Sequence, residues 1–397
     1  MYAFQLWREY KLSLAEIYAL FPETRVEYID EHICILDSQD RSFIISKLQH
    51  MWGTIKCIEL LAHYRWKVWE SIMQELKDFE WKFRYGLSIM WDFKNLKGLL
   101  METKKLLKEQ GISTRFVNKD FKNLSSAQIL WEKLVARGTD FTLIVTWDKT
   151  QYFWKTIWVQ DIESYSSRDY GKTRDMEVGM LPPKLAQIMI HLANFSQFSH
   201  TGKIKPQIIY DPFCWLGTVL IESILMWNSE VYGSDISANN IEKTKANIEF
   251  VKYNFKNTLK KSELHILDAR EITKFSQIKH VDAIVTEWYL GQIFQKYSIT
   301  EKKLELEKQQ LLDIYTLFFE WLKKLKFQGN IVICFPFWDI KWKYFYFSEI
   351  YAIIEKYCNI QTLLPKNSDI RPTKSWSLLY KREWQIVGRE IFKLQIK

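Results

Sequence analysis

The stretch Tyr210-Asp211-Pro212-Phe213-Cys214-Trp215-Leu216-Gly217-Thr218 decides the fold of this chain. The apolar run at residues 207–210 predicts a buried strand, and residues 218–226 have the apolar spacing of a helix. Between them lies a turn with an acid at the strand end and Gly217 at the helix start. A strand-end carboxylate suits a cationic or hydroxylated group, and the free amides of a helix start bind anions. The stretch therefore predicts a nucleotide-type site at the carboxyl end of a parallel strand.

Further predicted strands follow this one in alternation with predicted helices. The second strand ends in Asp235, the third contains Asp268, and the fourth leads into Glu287. Such alternation is typical of a doubly wound parallel sheet with helices on both faces. The second to fifth predicted strands are residues 231–235, 264–269, 281–286 and 329–334.

The position of Asp235 predicts a specific role for its carboxylate. It lies about 20 residues past the first strand-end acid, where dinucleotide-binding folds place the acid that binds a ribose hydroxyl pair. The alternative is that Asp235 caps the helix that begins near Asn239, and the two roles are compatible.

The first stretch resembles motif I of class I S-adenosylmethionine-dependent methyltransferases. The closest version is the D-P-F-C-G-x-G-T of THUMP-containing RNA guanine-amine methyltransferases, although Trp215 stands where that family has Gly. The resemblance implies that S-adenosylmethionine is the cofactor, that Asp235 binds its ribose and that Asp268 contacts its adenine amine. The matching residues are Asp211, Pro212, Phe213, Cys214, Gly217 and Thr218. Of these, the resemblance places Asp211, Phe213, Cys214, Gly217 and Thr218 at the cofactor.

The fourth predicted strand delivers Glu287-Trp288-Tyr289-Leu290-Gly291. Amino-group methyltransferases of the same class have Asp/Asn-Pro-Pro-Tyr here, and the resemblance implies that Glu287 holds the target amine. Tyr289 would stack on an extruded base. Because the chain has a longer carboxylate and no proline at this point, the identity of the target base stays open.

Residues 1–160 are predicted to be a mixed α+β region. Phe43-Ile44-Ile45 and Leu87-Ser88-Ile89 look like strands, residues 92–110 like a helix, and Ser125 like the cap of a second helix. The order of elements resembles the THUMP RNA-binding module, and a generic α+β domain is the alternative. The predicted organisation is therefore an RNA-binding region at 1–160, a linker at 161–184 and a Rossmann-like methyltransferase domain at 185–397.

Tryptophan is unusually frequent and glycine unusually rare. The chain has 18 Trp and 13 Gly in 397 residues, so Gly is about 3%, against roughly 7% in ordinary proteins. Trp215, Trp288 and Trp376 stand where glycine would be easier to explain. We hypothesise that many of these codons are read as glycine in the source organism. Alternatively the protein is rich in Trp, with residues such as Trp69 and Trp131 serving the core.

Composition narrows the class of protein and its partners. A formal charge of +9 favours a polyanionic partner, and residues 371–397 hold seven Lys/Arg against two Glu. No apolar run approaches the roughly 18 residues of a membrane span, and the start lacks the pattern of a signal peptide. The five scattered cysteines form no zinc-type spacing. We therefore expect a cytoplasmic protein that binds neither membrane nor metal.

The sequence leaves several functions open. The first is an RNA methyltransferase acting on a base amine, with guanine N2 of tRNA as the target that the resemblance implies. An adenine-amine methyltransferase acting on DNA or ribosomal RNA shares the same type of turn. A third interpretation is a non-catalytic RNA-binding protein, because Trp215 would obstruct the cofactor site. A nicotinamide-dependent oxidoreductase is disfavoured, since Asp211 replaces the first Gly of Gly-x-Gly-x-x-Gly.

Overall fold

The computed structural model describes residues 1–61, 83–90, 95–162, 180–193, 207–227, 230–255, 261–291, 301–340, 342–365, 369–383 and 385–397. The chain divides into two compact units. Met1–Tyr10 and Glu23–Tyr165 form the first, and Lys11–Pro22 with Ser166–Lys397 form the second. The first helix, α1 (Tyr10–Leu20), thus lies almost wholly in the second unit although it is close to the N-terminus.

The first unit has a sheet of eight described strands flanked by short helices. The strands are β1 (Tyr2–Leu6), β2 (Arg25–Ile29), β3 (Ile33–Asp37), β4 (Thr54–Leu61), β5 (Phe83–Met90), β6 (Thr114–Phe116), β7 (Thr139–Val145) and β8 (Gln151–Val159). Their order is β2-β3-β1-β4-β8-β7-β5-β6, and β5 is parallel to both β6 and β7. The helices are α2 (Arg41–Leu48), α3 (Leu96–Glu109), α4 (Ser126–Trp131) and α5 (Leu134–Arg137).

Two of the predictions for this unit depend on residues that cap the starts of helices. The cap predicted at Ser125 is confirmed, because its side chain accepts from Gln128 N and the Gln128 side chain returns to the Ser125 backbone. The strand predicted at residues 43–45 is wrong, since these residues lie in α2. Asp40 caps α2 by accepting from Phe43 N at 2.9 Å, and so short an apolar run does not itself distinguish strand from helix.

The second unit is built on a mixed sheet of nine described strands. They are β9 (Ile208–Asp211), β10 (Glu230–Asp235), β11 (Ser262–Ile266), β12 (Ala283–Glu287), β13 (Asn330–Ile340), β14 (Lys343–Tyr346), β15 (Cys358–Gln361), β16 (Leu378–Tyr380) and β17 (Val387–Ile396). The main order is β11-β10-β9-β12-β13-β17-β15, with β14 beside β13 and β16 beside β17. The five strands from β11 to β13 in that order are parallel to one another. β17 runs antiparallel to both β13 and β15.

Helices cover both faces of this sheet. They are α6 (Pro183–Ala193), α7 (Thr218–Trp227), α8 (Ala238–Phe255), α9 (Glu301–Lys324) and α10 (Glu349–Tyr357). Val231 packs with α7 and α8, whereas its neighbour Tyr232 joins the core under α9, as expected for side chains that alternate along a strand. The predicted class, a Rossmann-like α/β sheet together with an N-terminal α+β region, is therefore confirmed.

A buried polar contact ties α1 to the second unit. Glu16 of α1 lies 2.6 Å from Nδ1 of His191 on α6, and both side chains are fully buried. A cut at residue 160 would therefore remove a helix that the second unit uses. Within the described residues, no helix is both long and apolar enough to cross a membrane, and no three His, Cys, Asp or Glu side chains gather as metal ligands would.

Candidate active site

Three acids end neighbouring or near-neighbouring strands of the second unit. Asp211, Asp235 and Glu287 are the last residues of β9, β10 and β12, and these strands are parallel. Parallel strands end on the same edge of a sheet, so the three carboxylates meet there. Together they line a cavity of about 750 Å³, a volume typical of small-molecule sites.

Asp211 is almost completely buried at the floor of this cavity. Its Oδ1 accepts hydrogen bonds from Phe213 N at 3.1 Å and from Thr286 Oγ1 at 2.6 Å. Its Oδ2 accepts none from any described residue. Burial raises the pKa of Asp211 to about 7, and the hydrogen bonds from Thr286 and Phe213 oppose that rise. A cation or hydrogen-bond donor in the cavity would satisfy Oδ2 and restore the charge.

The turn after β9 is held by hydrogen bonds to its backbone. Asp235 Oδ2 accepts from Trp215 N at 3.1 Å, and Thr244 Oγ1 donates to Trp215 O at 2.5 Å. The other carboxylate oxygen of Asp235 accepts from Ser237 N and from the side chain of Asn240. Asp235 therefore holds the residue before α8, Ser237, whose own Oγ accepts from Asn240 N at 3.4 Å, and Asp235 also lines the cavity.

Gly217 closes this turn, and no other residue would fit easily in its place. Its φ is +78°, and a Cβ there would lie 2.6 Å from Thr244 Cγ2. The next residue, Thr218, begins α7, whose first amides have no intrahelical acceptor. Thr218, Phe213 and Cys214 all line the cavity, and Cys214 is buried with a pKa well above that of a free thiol, chiefly because of burial. A buried thiol with a raised pKa suits packing rather than nucleophilic attack.

Asp268 lies at the cavity but two residues beyond its strand. The sequence placed it within a strand, whereas β11 ends at Ile266 and Asp268 caps a short 3-10 helix by accepting from Arg270 N at 2.9 Å. The guanidinium of Arg270 also binds this carboxylate, and that hydrogen bond lowers the pKa of Asp268. A ligand would meet Asp268 as an ionised, already paired acid.

Glu287 forms an ion pair with Arg389, which comes from β17. Arg389 Nε donates to Glu287 Oε1, whereas Oε2 accepts no hydrogen bond from a described residue. Burial raises the pKa of Glu287, and the positive charges of Arg389 and Arg382 oppose that rise. One carboxylate oxygen is thus held and the other is available at the cavity wall.

The two residues after Glu287 lie in contrasting surroundings. Trp288 is 1% exposed and packs against Phe213, Tyr315 and Phe318, with ring centroids 4.3, 4.5 and 4.7 Å away. Its indole nitrogen has no hydrogen-bond partner among the described residues. Tyr289 is 49% exposed and lines the cavity mouth, where its ring is accessible to a planar ligand.

The structure brings the sequence-predicted residues together. Eight of the nine line one cavity, and Gly217 closes the adjoining turn. Sequence reasoning missed Thr286, which holds Asp211, and Arg389, which holds Glu287. No local signal singled out Arg389, because β17 also contains the charged residues Glu390 and Lys393.

Comparison with known proteins gives likenesses of fold only. No family model and no curated protein matches the chain. Among solved structures it is similar to TrmN from Thermus thermophilus, at TM-score 0.48 and 13% identity, over 100% of this chain and 99% of that one. It is also similar to NSun6 from Pyrococcus horikoshii with SFG, at TM-score 0.36 and 19% identity, over 48% and 47% of the two chains.

A third similar structure is an RNA methyltransferase from Salinibacter ruber in complex with S-adenosyl-L-homocysteine. Its TM-score is 0.29 and its identity 10%, over 55% of this chain and 94% of that one. At such values the names of these proteins assign no activity to this chain. The residues of the cavity are therefore the basis for assigning a function.

Proposed function

We propose that this chain is an S-adenosylmethionine-dependent RNA methyltransferase that acts on the exocyclic amine of a base, with guanine N2 of tRNA as the target. The observation that carries the proposal is the meeting of Asp211, Asp235 and Glu287 with the start of α7 at one cavity. Each of these groups suits a different part of a cationic, ribose-containing cofactor or of an amine substrate.

The residues present fit S-adenosylmethionine. Asp211 Oδ2, which has no hydrogen bond from a described residue, would face a positively charged group. The amides at the start of α7 suit the carboxylate of the methionine part. Asp235 already accepts three hydrogen bonds, so about one of the roughly four acceptor sites of a carboxylate remains, on Oδ2, for a hydroxyl of the ribose pair. When bound, the cofactor would supply a methyl group activated by a sulfonium.

The chain's own contribution to the reaction is positioning. Glu287 Oε2 would accept a hydrogen bond from the target amine and turn its lone pair toward the methyl group. Tyr289 would stack on the extruded base and hold its plane. Alignment of two reactants in this way contributes a large share of the barrier reduction in group-transfer reactions.

The excess of basic over acidic residues supports a nucleic acid as the substrate. The formal charge of +9 provides long-range attraction for a polyanion. We assign RNA-binding to the first unit, which carries the THUMP-like order of elements, and we place the enzyme in the cytoplasm. Residues 163–179, which hold most of the predicted linker, lie outside the described part of the chain.

The test is incubation of the purified chain with S-adenosylmethionine carrying a labelled methyl group and with tRNA, ribosomal RNA or DNA. Digestion of the labelled product to nucleosides then identifies the modified base. We expect N2-methylguanosine from tRNA. Labelled N6-methyladenine would support the adenine alternative, and cofactor binding without transfer to any nucleic acid would contradict the enzymatic proposal.

A further inference from the structure

We propose that Arg389 is the positioning residue of this active site, because it fixes Glu287 so that one carboxylate oxygen presents to the target amine. This inference rests on the proposed function. It adds a residue that is 102 positions away in the chain and belongs to a strand that no sequence motif marks.

The strand order explains how Arg389 reaches Glu287. β13 lies between β12 and β17, and Cys334 on β13 is paired with Glu287 on one side and with Ile391 on the other. Arg389 pairs with Pro336, two residues further along β13. Its long side chain therefore crosses β13 diagonally past the small Cys334, which feels the charges of both partners.

Arg389 is itself held on several sides. Its side chain is 1% exposed, and its guanidinium lies 5.8 Å from the ring centroid of Tyr380 on β16. Its Nη1 also lies 3.4 Å from Gln385 Oε1. A guanidinium fixed in this way imposes its own geometry on the carboxylate that it binds.

The consequence for Glu287 is that its two oxygens differ. Oε1 is occupied by Arg389, whereas Oε2 has no hydrogen bond from a described residue, and Glu287 lines the cavity. A carboxylate free to rotate would offer either oxygen to the amine. Glu287 offers one oxygen in a fixed direction, which suits an acceptor that orients a lone pair.

The groups that face Glu287 determine how its charge responds to pH. Burial favours the neutral form of Glu287, and the positive charges of Arg389 and the more distant Arg382 favour the ionised form. The carboxylate of Asp211 also interacts with the charge of Glu287 and opposes its ionisation. Removing the Arg389 cation therefore raises the pKa of Glu287. The acid limb of kcat then moves to higher pH when it is measured at saturating S-adenosylmethionine, where the effect of Asp211 on cofactor affinity does not enter.

The experiment compares Arg389→Gln and Arg389→Lys with the wild-type chain. Arg389→Gln should lower kcat by roughly 10- to 100-fold at unchanged S-adenosylmethionine affinity and should move the acid limb upward. Arg389→Lys keeps the positive charge, so the acid limb of the rate profile should stay in place and part of kcat should be recovered. A limb that stays in place in Arg389→Gln would overturn the proposal.

The matched control is Glu390→Gln. Glu390 is also buried on β17, but it points to the opposite face, where it binds Ser375, Ser377 and Tyr351. Glu390→Gln should lower the midpoint of unfolding without moving the acid limb. If Glu390→Gln moved the acid limb as far as Arg389→Gln does, the role of Arg389 would be structural only.

A double-mutant cycle separates this proposal from the proposed function. Unfolding of wild type, Arg389→Gln, Glu287→Gln and the double variant measures the coupling of the pair without any substrate. We expect the two single substitutions to be non-additive by about tenfold or more in the unfolding equilibrium constant. Additivity would overturn the ion pair, whereas coupling with no S-adenosylmethionine binding by wild type would overturn the proposed function and the catalytic use of the pair.

A separate observation, the backbone angles, carries a second proposal. We infer that three turns of the second unit are built for glycine, and that positions 215, 342 and 376 carry glycine in the protein made by its source organism. Among the described residues, eight non-glycine residues have positive φ, and three of them are Trp215, Trp342 and Trp376, at 43°, 66° and 64°. Bulky residues rarely adopt this conformation.

Trp342 lies at the tip of a tight hairpin. Ile340 pairs with Lys343, and Trp342 lies in the tight turn between them with a φ of 66°. Tight hairpin turns favour glycine where φ is positive. Trp342 is 92% exposed, so no packing of the indole explains its presence.

Trp376 ends a three-residue loop. Thr373 N donates to Ser377 O at 3.0 Å, and Trp376 N donates to Thr373 O at 3.1 Å. Three-residue loops of this kind commonly have glycine in the left-handed position. Trp215 is also at a position that favours glycine. The hydrogen bond from Gly217 N to Cys214 O closes a β-turn, and Trp215 is the first central residue of that turn, with positive φ.

Other tryptophans of the chain do not have this backbone geometry. Trp288 and Trp338 are fully buried and do not have positive φ. Trp131, which the sequence suggested as a core residue, is 82% exposed at the end of α4, also without positive φ. Trp69 lies outside the described residues.

The direct test is mass spectrometry of peptides from the natively expressed protein. We expect glycine at all three positions. Tryptophan at these positions would overturn the proposal, whatever the other tryptophans prove to be.

A stability comparison tests the same geometry in the recombinant chain. Trp342→Gly should raise the folding equilibrium constant by about five- to thirty-fold, because a left-handed strain of about 1–2 kcal/mol is relieved. The matched control is Trp131→Gly, which removes a similarly exposed indole from helical backbone. This substitution should lower the folding equilibrium constant. Destabilisation by both substitutions would contradict the glycine turns.

Discussion

The two turns that line the cavity are held in different ways, although each contains a tryptophan. In the turn after β9, hydrogen bonds from Asp235 and Thr244 fix the backbone of Trp215. In the turn after β12, packing fixes Trp288 within a cluster of aromatic rings. The first turn therefore depends on backbone conformation and the second on side-chain volume, so the same substitution should have opposite effects in the two.

The largest effect is expected from Trp288→Gly. Loss of a fully buried indole leaves a large cavity, and truncations of this size cost about 3–5 kcal/mol. Urea unfolding of the full chain measures this loss. An unchanged midpoint would mean that the second turn does not depend on packing and that position 288 is also suited to glycine.

The next effect concerns Glu287→Ala in the same turn. We expect the methylation rate to fall at least about a hundredfold, because the target amine loses its fixed acceptor. Binding of S-adenosylmethionine and of RNA should persist. Single-turnover kinetics and equilibrium binding separate the two, and a large loss of cofactor affinity would show instead that this turn shapes the cofactor pocket.

Trp215→Gly should act in the opposite direction to Trp288→Gly. Relief of the strained φ should stabilise the chain by about 1 kcal/mol, and removal of the indole from the cavity lining should strengthen S-adenosylmethionine binding. Urea unfolding and calorimetry measure the two gains. Weaker cofactor binding in this variant would mean that the indole contributes to the site.

A further expected effect is a pH dependence of the first turn. Because burial raises the pKa of Asp211 to about 7, the acid is largely protonated below that pH and ionised above it. Affinity for a cationic cofactor should therefore rise as pH increases toward 7, by up to about tenfold per unit, and level off above it. Asp211→Asn should bind weakly at every pH, and a wild-type affinity independent of pH would contradict the role of Asp211.

The strand ends at the cavity could be predicted from local sequence, because their determinants are short-range. The ends of β9, β10 and β12 follow from apolar runs that stop at Asp211, Asp235 and Glu287. The hydrogen bonds that hold these acids follow less directly, since Thr286 reaches Asp211 across a strand pair.

Long-range features could not be predicted in the same way. Arg389 reaches Glu287 only because β17 inserts antiparallel beside β13, and no local pattern indicates that pairing. The place of α1 in the second unit depends on a contact between Glu16 and His191, which are 175 positions apart. The helix at 43–45 was missed because its cap, Asp40, stands outside the apolar run that suggested a strand.

Calorimetric titration with S-adenosylmethionine tests the central claim most directly. The full chain should bind it, both with Trp215 and as Trp215→Gly, and should not bind NAD. Asp235→Ala should weaken the binding by about 1–3 kcal/mol, because a hydroxyl pair loses its charged acceptor. Absence of binding in both forms of the chain, or an affinity unchanged in Asp235→Ala, would contradict the account.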